Sequence, residues 1–248
     1  MGTRPNELDT KNFLHTSGPD VRVTGLRIRG PDPDIHDDCT CGDCRYCIPI
    51  SRGIVTYHPM TVDNCELSGF AHTAIGLWPG ARVHAHHNDI HHNRRTGLGY
   101  GVSLCDDSSA VVEANRFDYN RHSIASCGTA DSSYEARYNL VLDSANGHAF
   151  DVHGGTDRGD GTLIASDFTL IHHNTFRATS VPAFVLRGIP VAWALVHHNW
   201  FLHSTIANAL EQSNADGGMF VCQNTVGPDR VLTEGPGEWL ESRDGDGQ

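Results

Sequence analysis

Seven asparagines at nearly regular intervals constrain the fold of this chain more than any other feature. Each sits in a short segment such as LIHHNTF or LVHHNWF, and successive asparagines are 24, 27, 24, 35, 25 and 25 residues apart. A period of about 25 residues made of short β-rich segments is typical of a solenoid with three strands per coil. One asparagine per coil can bond the next through its amide, which predicts an asparagine ladder. Its expected members are Asn64, Asn88, Asn115, Asn139, Asn174, Asn199 and Asn224.

A second set of segments aligns between the ladder positions. These are AIGLW, GVSLC, SIASC, AFDVH, AFVLR and ALEQS, and each alternates apolar and other residues as a strand does. Parallel strands joined by such connections coil in the right-handed sense. The sequence therefore predicts an all-β fold, a right-handed parallel β-helix with about 25 residues per coil.

Composition narrows the functions open to the chain. The 26 glycines among 248 residues favour a protein rich in strands and turns. The net charge of −12 argues against a nucleic-acid partner, because no basic surface could neutralise phosphates. Lys11 is the only lysine, so a lysine base is nearly excluded. We find no apolar segment of about 18 residues and therefore expect no membrane span.

The repeat resembles the right-handed parallel β-helix family that includes pectate lyases and related carbohydrate-active proteins. The resemblance covers residues 21–226, and the asparagine ladder is its most specific part. It implies a polysaccharide or oligosaccharide substrate that lies across the sheet of the aligned third strands, with loops on both sides. It identifies a fold more closely than a reaction.

The remaining segments are assigned from their position and composition. Residues 1–20 are expected to be an N-terminal extension or cap, and 227–248 an acidic tail. Two overlong coils carry insertions at 31–50 and 154–167, which commonly wall a binding face. The N-terminus lacks the apolar centre of a signal peptide, so the protein is secreted if a leader has been removed and otherwise cytoplasmic. The sequence leaves the oligomeric state undetermined.

Strand alternation sorts the aligned residues into inner and outer positions. Phe150 and Val152 are expected inside, which places Asp151 and His153 on the outer face of the same strand. Coils lie about 4.8 Å apart, so equivalent outer residues of neighbouring coils are expected to be neighbours. One outer column holds Trp78, Cys105, Cys127, His153 and Arg187, and the next holds Gly76, Ser103, Ala125, Asp151, Val185 and Glu211.

This outer face suggests a polysaccharide lyase or a related uronate-modifying enzyme. Such an enzyme must neutralise the C6 carboxylate and abstract the C5 proton, and a lyase must also protonate the leaving oxygen. We expect Arg187 to pair with the carboxylate and His153 to act as base, with Asp151 orienting it. The proton donor would be Tyr134 or Tyr100. The residues expected to bind substrate are Trp78, Tyr100, His148 and Glu211.

Two other functions remain open at this stage. Asp151 and Glu211 are two coils apart, roughly 9 to 10 Å, which suits an inverting glycoside hydrolase. Alternatively the chain is a non-catalytic β-helix that binds glycan or has a structural role. A lyase produces an unsaturated uronate, a hydrolase produces reducing ends without that chromophore, and a binder produces neither.

The cysteines suggest metal sites or disulfides. Cys39, Cys41, Cys44 and Cys47 could wrap one structural zinc, with two disulfides as the alternative. Cys105 and Cys127 could bridge, pack as small apolar residues, or bind zinc together with His153. A calcium-assisted reaction is in doubt because the carboxylates near the face are few, although calcium itself stays open as a cofactor. A further outer column, His86, Glu113, Arg137, His172 and His197, is expected to be a structural charge ladder.

Overall fold

A computed structural model describes residues 11–31, 50–95, 97–213 and 217–233. In these ranges the chain forms three sheets that run the length of a solenoid, and every pairing between successive coils is parallel. Two one-turn helices, α1 (Gly155–Arg158) and α2 (Ile206–Ala209), interrupt the described part of the solenoid. None of the described helices is long and apolar enough to cross a membrane.

Strands are numbered in chain order. The first sheet contains β1 (Lys11–Thr16), β4 (Ser51–Thr56), β7 (Thr73–Leu77), β10 (Tyr100–Leu104), β13 (His122–Ser126), β16 (Phe150–Val152), β19 (Phe184–Leu186) and β22 (Leu210–Gln212). The second contains β2 (Val21–Thr24), β5 (Met60–Asp63), β8 (Arg82–His86), β11 (Ser109–Glu113), β14 (Ser133–Arg137), β17 (Phe168–His172), β20 (Trp193–His197) and β23 (Met219–Cys222). The third contains β3 (Arg27–Arg29), β6 (Glu66–Ser68), β9 (Asp89–His91), β12 (Arg116–Asp118), β15 (Leu140–Val141), β18 (Thr175–Phe176), β21 (Trp200–Phe201), β24 (Asn224–Val226) and β25 (Val231–Thr233).

Inward side chains of the three sheets fill the solenoid. Phe150 and Val152 of β16 are fully buried in this core, as their parity predicts. Phe150 also contacts Phe176 of the next coil, with ring centroids 4.9 Å apart, and Phe176 stacks on Phe201 at 5.1 Å. Full burial of a side chain of this size stabilises the fold by roughly 1.5–3 kcal/mol. The repeat is therefore held together by columns of like residues.

The asparagine ladder is confirmed from Asn88 to Asn224, but its first member is wrong. Asn88 accepts a hydrogen bond from the backbone N–H of Cys65, at 2.9 Å, where the backbone of an asparagine was expected. Asn64 instead has φ 52° and occupies the left-handed position that His87 takes in the next coil. Cys65 Sγ lies 3.7 Å from the carbonyl of Val23 and so takes the place of the amide. Asn64 directly precedes the ladder position, which Cys65 occupies. Aligning Asn64 with the ladder asparagines therefore shifted this coil by one residue.

A second, shorter ladder lies at the end of the third sheet. Asn93 Nδ2 donates to Asn120 Oδ1 at 2.9 Å, and Asn93 Oδ1 accepts from the backbone N–H of Phe70 at 2.9 Å. Both asparagines are buried. The sequence analysis missed this pair, because two copies do not establish a period.

The solenoid extends beyond both expected boundaries. Strand β1 pairs with β4, so the first sheet begins inside the segment expected to be an N-terminal extension. Strand β25 turns back and pairs antiparallel with β24, so the segment expected to be a tail begins with ordered structure. The insertion at 154–167 contains α1. Most of the other insertion, including Cys39, Cys41, Cys44 and Cys47, lies outside the described residues.

Candidate functional site

Asp151 is the centre of a charged cluster on the outer face of the first sheet. It pairs in register with Ala125 on one side and Val185 on the other, which confirms the predicted column. Its side chain is nevertheless 0% exposed, because neighbouring side chains cover it. Strand parity predicted the direction of this side chain but not its burial.

The imidazole of His153 and the guanidinium of Arg187 both contact the Asp151 carboxylate. His153 Nε2 is 2.9 Å from Oδ2, and Arg187 Nε is 3.0 Å from Oδ1. Arg187 Nη2 also donates to Oδ2 at 3.1 Å. His153 and Arg187 keep 29% and 23% of their side chains exposed, so both reach solvent while Asp151 does not. The predicted trio is brought together, with the carboxylate beneath the other two.

Two more histidines complete the cluster. His148 Nε2 lies 3.0 Å from Asp151 Oδ1 and 2.9 Å from Arg187 Nη2. His122, from β13 in the preceding coil, stacks on His148 with ring centroids 4.1 Å apart and is 1% exposed. Its Nδ1 donates to the carbonyl of His148 at 2.6 Å, which leaves Nε2 facing Asp151 Oδ2 at 3.8 Å. His122 was missed because a buried histidine on the sheet has no signal in a single sequence.

Burial and contacts shift the pKa values of this cluster in different directions. Desolvation opposes ionisation of Asp151, but its side-chain contacts with His148 and His153 outweigh this effect and hold the pKa of Asp151 well below its usual range. Desolvation lowers the pKa of His122 to about 3. It raises the pKa of Tyr100. At neutral pH the cluster therefore holds an ionised Asp151, a neutral His122 and a protonated Tyr100.

A cleft of about 190 Å³ runs from Trp78 to His153 along the same face. Its wall includes a row of rings in which His72 lies between Trp78, at 6.5 Å, and Tyr100, at 5.8 Å. Tyr100 stacks in turn on His122 at 5.7 Å. Aromatic faces of this kind suit the apolar faces of sugar rings. Trp78 and Tyr100 thus lie where the substrate-binding prediction requires them.

The insertion at 154–167 closes one side of the cluster, as expected of a loop beside a binding face. Its helix α1 brings Asp157 to 3.6 Å from Arg187 Nη1 and 3.9 Å from His153 Nδ1. Arg158 anchors the loop by donating to the carbonyls of Cys127, at 2.8 Å, and Ile164, at 3.0 Å. Gly154 is required at the start of the loop because a Cβ there would clash with the carbonyl of Arg187.

Several predicted site residues lie elsewhere. Tyr134 was proposed as a proton donor, but it points into the core from the second sheet and is 1% exposed, so it cannot meet a substrate on the outer face. Glu211 is exposed in the Asp151 column two coils away, and it is not among the residues that line the cleft. Cys105 and Cys127 form a disulfide with Cα atoms 5.1 Å apart, which removes them as zinc ligands and makes them part of the cleft wall.

The separate charge ladder connects neighbouring coils, in the register that the sequence predicts. Arg137 donates to Glu113 at 3.0 Å and to Glu135 at 2.8 Å, and His172 stacks on His197 at 5.0 Å. These residues face outward from the second sheet, in register from coil to coil. They connect coils across a face other than the one that bears the cleft.

Comparison with known families agrees with this architecture. Residues 37–158 match the family model described as a right handed beta helix region. Comparisons with curated proteins and with solved structures return no match. The matched segment contains β4 to β16 and α1, and therefore the strands that carry His122, Asp151 and His153. Together with the three parallel sheets and the asparagine ladder, the match identifies the fold as a right-handed parallel β-helix.

Proposed function

We propose that the chain is a carbohydrate-active enzyme that abstracts the C5 proton of a uronate unit in a polysaccharide, with His153 as the base. The observation that supports this most is the contact of 2.9 Å between His153 Nε2 and the buried carboxylate of Asp151, at the end of an aromatic cleft. Departure of the 4-O substituent after proton abstraction makes the enzyme a lyase. Return of a proton to C5 without departure makes it a related uronate-modifying enzyme.

Asp151 would set the tautomer of His153. An ionised carboxylate next to Nε2 favours the proton on Nε2, which leaves the lone pair on Nδ1. Nδ1 is 3.9 Å from Asp157, beyond hydrogen-bonding distance, so the lone pair is free to take a proton. Burial of Asp151 keeps water from competing for the carboxylate and fixes the ring.

Arg187 would hold the C6 carboxylate of the substrate. Its guanidinium already contacts Asp151 and Asp157, but 23% of the side chain remains exposed beside His153. A planar guanidinium can contact more than one carboxylate through its separate N–H groups. Neutralising the C6 carboxylate is what makes the C5 proton acidic enough to abstract.

Tyr100 would return a proton to the leaving oxygen in the lyase reaction. Tyr100 lines the cleft, its hydroxyl donates to the carbonyl of Gly97 at 3.1 Å, and burial raises its pKa, which keeps it protonated at neutral pH. Arg121 Nη1 lies 3.4 Å from that hydroxyl and would stabilise the phenolate formed when the proton leaves. With Tyr134 in the core, Tyr100 is the tyrosine that fits this role.

The hydrolase alternative is less favoured by the geometry. An inverting hydrolase needs two carboxyl groups that reach the glycosidic bond and a water. Asp151 is fully buried beneath His148, His153 and Arg187, so its carboxylate reaches neither a glycosidic oxygen nor an attacking water. Glu211 is not among the residues that line the cleft, so it does not supply the second carboxyl group there.

The test follows the products formed from a panel of uronate-containing polysaccharides. Ultraviolet absorbance detects the unsaturated uronate of a lyase, and deuterium at C5 after reaction in heavy water detects proton exchange without cleavage. His153→Gln should lower either rate by at least about 100-fold, because a general base contributes that much. The amide of Gln can still donate to Asp151, so the fold should persist.

His198→Ala is the matched control, since His198 is an exposed histidine on another face. It should leave the rate unchanged. New reducing ends that form without the absorbance of an unsaturated uronate and without deuterium at C5 would indicate a hydrolase instead. Binding of a glycan with none of these products would indicate a non-catalytic β-helix.

A further inference from the structure

We propose that His122, His148 and Asp151 form a site for a divalent transition-metal ion, with zinc as the representative ion. His122 Nε2, His148 Nε2 and a carboxylate oxygen of Asp151 lie within 4.8 Å of one another. This proposal does not rest on the proton-abstraction chemistry above, in which no metal takes part.

The first argument is the tautomer of His122. Nδ1 donates to the carbonyl of His148 at 2.6 Å, so in the neutral ring Nε2 carries the lone pair. That lone pair is buried and has no hydrogen-bond donor among the described residues. It faces the carboxylate of Asp151 at 3.8 Å, and two acceptors facing each other are unfavourable without a cation between them. A carbonyl that fixes the distal ring nitrogen is also the usual arrangement around a metal-bound histidine.

The second argument concerns the other two donor atoms. Asp151 Oδ1 is buried, and no hydrogen bond of ordinary geometry reaches it within the described residues, although His148 Nε2 and Arg187 Nε each lie 3.0 Å away. Arg187 Nη2 lies 2.9 Å from His148 Nε2, and because a guanidinium can only donate, this hydrogen bond requires a lone pair on Nε2, which a metal ion could take in its place. Three acceptor atoms therefore converge on one small volume.

The distances suit a metal ion. Zinc binds imidazole nitrogen and carboxylate oxygen at about 2.0–2.2 Å. His148 Nε2 lies 3.0 Å from Asp151 Oδ1, and His122 Nε2 lies 3.8 Å from Oδ2 of the same carboxylate, so either pair of atoms can lie at about that distance from a common point. Two imidazoles and one carboxylate favour zinc, cobalt, nickel or ferrous iron over calcium and magnesium, which prefer oxygen ligands. Three protein ligands leave positions open for water or substrate oxygen.

Arg187 is the competitor for this site. Its guanidinium contacts both His148 and Asp151, and in the metal-free form it supplies the positive charge that the cluster needs. A metal ion would take over these contacts and release the guanidinium. Removing Arg187 should therefore strengthen metal binding, which an unfolded or damaged protein could not do.

The experiment measures zinc affinity and stoichiometry by competition with a chromophoric chelator, on the full chain without substrate. His122→Gln should lose one bound equivalent relative to the wild type. His198→Ala, which alters an exposed histidine pair, should keep it. The four clustered cysteines contribute the same background to every variant. Arg187→Met should bind the same equivalent at least about tenfold more tightly, because one neighbouring positive charge has gone.

Thermal unfolding provides the second measurement. Zinc should raise the Tm of the wild type, and raise that of Arg187→Met further, because a ligand that binds only the folded state stabilises it. An unchanged stoichiometry in folded His122→Gln would overturn the proposal. If His122→Gln does not fold, equal or weaker zinc binding by Arg187→Met overturns it. If the protein binds zinc as expected but forms neither unsaturated uronate nor product with deuterium at C5, the result counts against the proposed function alone.

Discussion

At the scale of single residues, the turn before each ladder asparagine carries the clearest conformational demand. The residue immediately before the asparagine is left-handed in every ladder coil, for example His87 at φ 55°, Ala114 at 53° and Tyr138 at 56°. An L-residue in this conformation costs roughly 1–2 kcal/mol, which glycine avoids. The solenoid accepts this cost because the turn aims the asparagine into the ladder.

Ala114→Gly should therefore stabilise the protein. Relief of the left-handed strain exceeds the extra entropy of the unfolded chain, so we expect the free energy of unfolding to rise by about 0.5–1 kcal/mol. The matched control is Ala136→Gly, since Ala136 is buried in the regular strand β14 and should lose about 1 kcal/mol. Urea unfolding of both variants checks the contrast. A loss of stability in Ala114→Gly would show that the turn is not strained.

At the scale of the element, the ladder joins neighbouring coils through side chains in addition to the strand pairing. Asn139 Nδ2 donates to Asn174 Oδ1 at 2.9 Å and to the carbonyl of Val112 at 2.8 Å. Its Oδ1 accepts from the backbone N–H of Asn115, also at 2.9 Å. One side chain thus satisfies buried groups of both neighbouring coils. Cys65 shows where the ladder ends, because its thiol cannot accept and donate in the same way.

Asn139→Ala should cost more than about 2 kcal/mol, since several buried backbone groups lose their partner at once and each costs about 1–3 kcal/mol. Cys65→Asn is the informative comparison. An amide there can donate to Asn88 Oδ1 and to the carbonyl of Val23, so the variant should fold and be at least as stable as the wild type. Equilibrium unfolding in urea measures both. If Asn139→Ala proves silent, the ladder is a consequence of the turn and adds no stability.

At the scale of the whole molecule, neutral buried histidines make stability depend on pH. Burial lowers the pKa of His122 to about 3, and burial together with the charge of Arg52 lowers that of His72 to about 3. The unfolded chain takes up these protons near pH 6.5, whereas the folded chain does not. The folded state therefore loses stability as the pH falls from about 6.5, before the lowered pKa of Asp151 adds its own loss below about 4.

The free energy of unfolding should thus decrease between pH 6.5 and pH 4.5, by up to about 1.4 kcal/mol per pH unit for each such histidine. His72→Gln should flatten this slope, because Gln does not titrate and its amide oxygen can still accept from Arg52, which donates to His72 at 2.8 Å. Urea unfolding at a series of pH values gives both slopes. Identical slopes in the wild type and His72→Gln would mean that His72 already takes up its proton in the folded state.

The sequence by itself determined the repeat. The period of the asparagines and the alternation of the third strands predicted the three sheets, the register of the Asp151 column and the inward direction of Phe150 and Val152, because strand geometry has a fixed period of two. It also predicted that Asp151, His153 and Arg187 would meet. The sequence did not show that Cys65, and not Asn64, holds the first ladder position, because a shift of one residue fits the repeat equally well.

Only the tertiary structure decided what covers the outer face. Periodicity does not say which loop folds back, so the contact of Asp157 and the burial of Asp151 had no signal along the chain. Of the three alternatives for Cys105 and Cys127, the structure selects the disulfide. His122 joined the cluster through a contact 26 residues away, with the carbonyl of His148. Tyr134, one of the two expected proton donors, lies in the core, since a tyrosine suits a core as well as a cleft. Position within a coil is local information, whereas burial on the outer face depends on neighbouring coils and insertions.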